Sequence, residues 1–101
     1  MRRSSTNVAG GPFSTAQIAA VWQKGQVVPG YNPAVVRKDC CGAWLKWAEY
    51  GATTDFGWEI DHVRPVARQG GDELSNLQPL HWRNNRHKSD NWPNWTCGYA
   101  A

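Results

Sequence analysis

The chain predicts a small α+β domain in which two short strands and their connecting turn lead into a helix, with a further helix placed ahead of them. Three observations predict it. Trp58, Ile60 and Val63 mark a strand of residues that suit a half-buried pleated surface. Gln69-Gly70-Gly71-Asp72 is a turn signal, since glycine takes positive φ at little cost. From 81 or 82 to 89, helical spacing puts His81, Asn85 and Lys88 on one face. With 101 residues the chain makes one domain with a modest core, too small for a catalytic unit plus a separate sequence-reading domain.

Residues 1–12 read as a mobile arm carrying Arg2 and Arg3 among small polar residues. The domain proper is 13–101. Ser14-Thr15-Ala16-Gln17 has the form of a capping box, which starts a helix over about 15–24 with Ile18, Val21 and Trp22 facing the core. Gly25, Pro29-Gly30 and Pro33 mark an irregular connection. The stretch 44–50 suits a strand or a short helix, and periodicity does not decide between them. The second strand of the hairpin is 77–80, at an edge or ending early because of Pro79. An irregular tail rich in Asn, Trp and Gly closes the chain over 90–101. The 7 tryptophans are expected mostly in the core, where each contributes a large buried area. Trp92 and Trp95 have base stacking as an alternative.

The residues with chemistry lie between 57 and 90. Asp61-His62 is followed by Asn76 fourteen positions after His62 and by Asn85 twenty-three positions after it. A histidine with its ordinary pKa of about 6.5 is largely neutral at physiological pH and so able to accept a proton. Asp61 and Asn85 offer oxygen ligands that suit a hard cation, and a pair of protein ligands leaves positions open for water and substrate oxygens. Adjacent strand residues face opposite ways, so the strand must end or bend near Asp61-His62, a requirement that Pro65 helps to meet.

This ordered set, with Gly70-Gly71-Asp72, Asn76-Leu77-Gln78-Pro79-Leu80, Asn84-Asn85 and Lys88, resembles the HNH endonuclease family of ββα-metal (His-Me finger) nucleases over about a third of the chain. The resemblance implies a ββα-metal catalytic segment of about 57–90, to which the helix read from the capping box is an N-terminal extension. It implies a hydrolase that cuts or nicks DNA phosphodiester bonds with one divalent cation, magnesium or manganese. His62 would be the general base, Asn76 would brace the loop that carries it, and Asp61 and Asn85 would bind the metal. In such chemistry the cation absorbs charge at the scissile phosphate and the leaving oxygen.

Relatives often hold a structural zinc with two Cys-x-x-Cys pairs. The corresponding stretches here are Cys40-Cys41-Gly42-Ala43 and His81-Trp82-Arg83-Asn84, neither with two ligands at that spacing, which argues against structural zinc. A remnant site of Cys41, His81 and Cys97 competes with the reading of these cysteines as small buried hydrophobes with reduced thiols.

Lys plus Arg at 11 against Asp plus Glu at 8 gives a net charge of +3, compatible with a polyanionic partner. Arg37, Arg64, Arg83, Arg86, His87 and Lys88 are the candidates for contact with double-stranded DNA, with a structural pair to Asp39 or Glu59 as the competing role for Arg37. Phosphate contacts position a duplex without reading it, so low sequence specificity and steep salt dependence are expected. No secretory signal and no apolar run of membrane length is evident, so a soluble cytoplasmic protein, bacterial or phage-encoded, is expected. The other readings are a DNA-binding or phage DNA-packaging accessory on the same scaffold, and a toxin payload neutralised by an immunity protein.

Overall fold

The computed structural model describes residues 3–100. Arg2 of the expected arm and Ala101 of the tail lie outside the described residues. Helix α1 (Thr15–Trp22) begins at the expected capping box, with the Ser14 side chain accepting from the Gln17 N–H and the Gln17 side chain accepting from the Ser14 N–H. It stops two residues short of the expected end, at Gln23, before Gly25. Strands β1 (Val36–Lys38) and β2 (Trp44–Lys46) pair antiparallel, and a 3-10 turn follows over Trp47–Glu49, so the ambiguous stretch 44–50 is strand and then turn.

Strands β3 (Trp58–His62) and β4 (Leu77–His81) form the second antiparallel pair, registered with Asp61 opposite Gln78 and His62 opposite Leu77. Helix α2 (Trp82–Lys88) follows β4 directly and contacts both of these strands. The β-β-α order is as the sequence predicts. Every residue of β3 is buried, because each face of the strand is covered. Trp58 and Ile60 join Phe13, Val21, Trp22, Leu45 and Leu77 in the core, while Glu59 and Asp61 bond to side chains of α2.

Only two of the seven tryptophans, Trp22 and Trp58, are fully buried, their ring centroids 5.2 Å apart. This corrects the expectation that most are core. A domain this small has room for few indoles inside; of the other five, Trp47 packs against Trp22 and Trp58, and four carry a cation, with Lys38 over Trp44, Arg86 over Trp82, Arg64 over Trp92 and Lys88 over Trp95.

Residues 3–11, expected as part of a mobile arm, are bonded along the hairpin. Ser5 Oγ accepts from the Ile60 N–H at 2.9 Å and meets the Tyr50 hydroxyl at 2.7 Å, and the Val8 N–H donates to the Asp72 carboxylate. The arm thereby satisfies a backbone donor of β3 that β4 does not reach.

The stretches 40–43 and 81–84, which supply no zinc-ligand pairs, do meet through Asp39. Asp39, 1% exposed, accepts at Oδ1 from the N–H groups of Cys41 and Ala43 and at Oδ2 from the His81 N–H and Asn84 Nδ2. Asn84 in turn bonds the tail at Gly98 and Tyr99. Cys41 is joined to Cys97 in a disulfide and Cys40 is exposed, which corrects the expectation of reduced, buried thiols. Sulfurs bonded to each other are not thiolate ligands, so the Cys41, His81 and Cys97 metal set is not formed.

Closing a loop across a sequence separation of 56 restricts the unfolded chain, and by the chain-entropy model removing the bridge should cost about 4 kcal/mol. Thermal unfolding of the oxidised protein with and without reductant checks this. An unchanged midpoint after verified reduction would show that the bridge adds no stability.

Candidate active site

The hairpin ends where chemistry begins. Strand β3 terminates at His62, and Val63 and Arg64 bend away before Pro65. Two 3-10 turns (Val66–Arg68 and Leu74–Asn76) carry the chain back to β4. The left-handed residue of the first turn is Gln69, at φ 70 and ψ 23, rather than one of the glycines. Gly70 answers a different need: a Cβ there would sit 1.7 Å from the Arg64 carbonyl oxygen and 2.9 Å from Asn76 Nδ2.

Asn76 closes this loop. Its Oδ1 accepts from the Arg64 N–H at 2.8 Å, and its Nδ2 donates to the carbonyls of Arg64 at 3.1 Å and Gly71 at 2.9 Å. These bonds use both ends of the amide on the segment just after His62. They also bind that segment to the turn carrying Asp72, whose Oδ1 lies 2.8 Å from His62 Nε2. His62 itself is 8% exposed, with Phe13 beside the ring at 5.8 Å between centroids.

Asp61, one residue earlier, points the other way, toward α2. Its Oδ1 is 3.2 Å from Lys88 Nζ and its Oδ2 accepts from Gln78 Nε2 at 3.0 Å. Burial pushes the Asp61 carboxyl above its ordinary pKa, against the opposing pull of the Gln78 hydrogen bond and the Lys88 charge. Glu59, two residues back on the same strand face, accepts from Asn85 Nδ2 at 2.8 Å and pairs with Arg86 at 3.4 Å. Glu59 and Asp72 are the polar residues that sequence reasoning missed as parts of the site. The two-residue period of the strand was the signal for Glu59, whereas nothing local marked Asp72 as a partner of His62.

Among the described residues no group of three or more His, Cys, Asp or Glu is placed to hold a metal ion, and the expected ligands Asp61 and Asn85 are engaged by Lys88 and Gln78 and by Glu59, respectively. Asp61 has one hydrogen bond at each carboxylate oxygen, so further lone pairs remain, and the Asn85 amide directs its nitrogen to Glu59, leaving its oxygen as the ligand end.

Two of the proposed DNA contacts are corrected by burial. The Lys88 side chain is 0% exposed, its ammonium held by Asp61 and the His62 carbonyl, so it cannot reach a phosphate. Arg37 is 7% exposed and donates to the carbonyls of Pro33, Gln23 and Gly25 and to the Gln23 side chain, with no pair to Asp39 or Glu59. A guanidinium has five donors, and here they make four hydrogen bonds, three to backbone carbonyls after α1 and one to the Gln23 side chain. Arg64, Arg83, Arg86 and His87 are exposed. Arg64 lies over Trp92, and Arg83 over both Trp82 and Tyr99, so aromatic rings hold these cations at the surface.

His81 is the N-cap of α2, not a ligand. Its Nδ1 accepts from the Arg83 N–H at 3.1 Å, and its Nε2 lies 2.8 Å from the Asp55 carbonyl, which can only accept. Both nitrogens are used by the neutral ring. Burial lowers its pKa from the ordinary 6.5, with the Asp55 carbonyl pulling the other way. A lowered folded value means stability that is present above about pH 6.5 and lost as pH falls through the folded value, because the unfolded chain binds the proton first. Thermal midpoints of wild type and His81→Asn should therefore differ most above about pH 6.5 and converge in acid. A constant difference across that range would show that His81 protonation does not couple to folding.

Residues 49–91 match the family model described as HNH endonuclease. No curated protein and no solved structure matches the chain. The matched segment contains β3, the Asn76-stapled loop, β4 and α2, and over it the chain is similar to the HNH endonuclease family.

Proposed function

We propose that the protein is a metal-dependent endonuclease that hydrolyses DNA phosphodiester bonds with low sequence specificity. The observation that carries this reading is the placement of a histidine at a strand end, next to a loop stapled by Asn76, on a strand whose opposite face sets Glu59 against Asn85 and Asp61 against Lys88. Binding alone does not require a proton acceptor held so closely.

His62 takes the proton of the attacking water. Asn76 keeps the segment after His62 from relaxing, so the ring does not have to be ordered during the reaction. Asp61 and the Asn85 carbonyl would hold one magnesium or manganese ion, whose charge stabilises the scissile phosphate and the leaving oxygen when bound. Arg64, Arg83, Arg86 and His87 supply surface cations for phosphates. No helix among the described residues is long and apolar enough to cross a membrane.

Purified protein should nick supercoiled plasmid with magnesium or manganese and stop when EDTA is added. The nicks should be scattered along the molecule, and binding should weaken steeply with salt. Undiminished cutting in chelator would overturn the metal-dependent mechanism, and discrete fragments from a long linear duplex would overturn the low specificity.

A further inference from the structure

We propose that Asp72 is a positioning residue for His62: its carboxylate holds the imidazole by Nε2 and so leaves Nδ1 as the nitrogen that takes the proton. The inference rests on the reading of His62 as the base. An ionised carboxylate only accepts hydrogen bonds, so the 2.8 Å contact between Asp72 Oδ1 and His62 Nε2 requires the proton of the neutral ring to be on Nε2. The lone pair is then on Nδ1, and a water proton moves to that atom while the Nε2–H stays with Asp72. The negative charge also stabilises the imidazolium that this transfer creates.

The rest of the loop holds Asp72 in place. The Val8 N–H donates to both of its oxygens at 3.1 Å, anchoring it from the N-terminal side. Asn76 Nδ2 holds the Gly71 carbonyl, one residue before it, and the missing side chain of Gly70 permits the close approach to Arg64. The Asp72 side chain is 32% exposed while that of His62 is 9% exposed, so the carboxylate lies on the outer side of a largely enclosed ring. A surface ion pair adds little to stability, whereas selection of one ring nitrogen as the base requires this fixed geometry.

Long-range 15N–1H correlation spectra of the His62 ring, recorded at a pH where it is neutral, test the inference without any turnover. Wild type should show the proton on Nε2, and Asp72→Ala should move the ring toward a mixture of tautomers. Single-turnover cleavage should slow by about 10- to 100-fold in Asp72→Ala, the usual cost of losing a group that orients an imidazole. DNA affinity should not change. Asp72→Asn, which retains an acceptor oxygen and loses the charge, should cleave at an intermediate rate, and it carries the same comparison if the alanine variant does not fold. A wild-type ring protonated on Nδ1, or a variant that keeps both the Nε2–H tautomer and the wild-type rate, would overturn the proposal. A wild-type chain with the Nε2–H tautomer, altered by Asp72→Ala, that cuts no DNA under any metal condition would sink the nuclease reading and support the Asp72 contact.

Discussion

His62→Ala is expected to lower the cleavage rate by a factor of about 100 to 10,000, the range that a general base contributes, while DNA affinity stays near that of wild type. The base acts in the transition state, so ground-state binding does not depend on it. The fold should survive: His62 is the last residue of β3, the backbone there is held by the Leu77 pairing, and Asp72 keeps its Val8 donor. Single-turnover cleavage together with equilibrium DNA binding checks both halves. Retention of most of the activity would move the role of base to another residue, with the exposed His87 first in line. Asp61→Ala is a poorer test of the same centre, because it strips the fully buried Lys88 of its carboxylate partner and should itself destabilise the protein. Asp61→Asn and Asn85→Ala are better suited to show weakened metal binding.

Asp39→Ala should give a large loss of stability, about 2–5 kcal/mol from orphaned buried donors against a total of about 5–15 kcal/mol for a domain. Its two oxygens accept four hydrogen bonds from three segments that meet nowhere else in this way: the turn at Cys41 and Ala43, the end of β4 at His81 and the start of α2 at Asn84. Alanine leaves the N–H groups of Ala43 and His81 buried without an acceptor and takes one of the two bonds of Asn84 Nδ2, and orphaned buried donors cost more than the net worth of the bonds they lost. Asp39→Asn, which presents one oxygen in place of two, should fall between the two. Urea unfolding at equal protein concentration measures the loss, and a difference under about 1 kcal/mol would show that water or neighbouring carbonyl groups replace the carboxylate.

Local spacing made the β-β-α segment legible, together with the capping box of α1 and the likeness of residues 49–91 to the HNH endonuclease family. The reason is physical: strand period, cap chemistry and turn residues act within a few positions of each other. Lys88 and Arg37 were misread because a cation near a motif says nothing of the direction in which its side chain packs. The tryptophans were overcounted as core because aromatic content does not state how much interior a small domain has.

What the sequence by itself determined is therefore the order of elements along the β-β-α segment and the turn after His62, because strand period and turn residues act locally. Only the tertiary structure decided how the side chains there are held. The contact of Asp72 with His62, the Glu59 bond to Asn85, the burial of Lys88 against Asp61 and the Cys41–Cys97 bridge each join residues brought together by folding. Their partners lie ten or more positions apart along the chain, where no periodicity reaches, so only the packing of β3 against α2 and the return of the loop after His62 could select them.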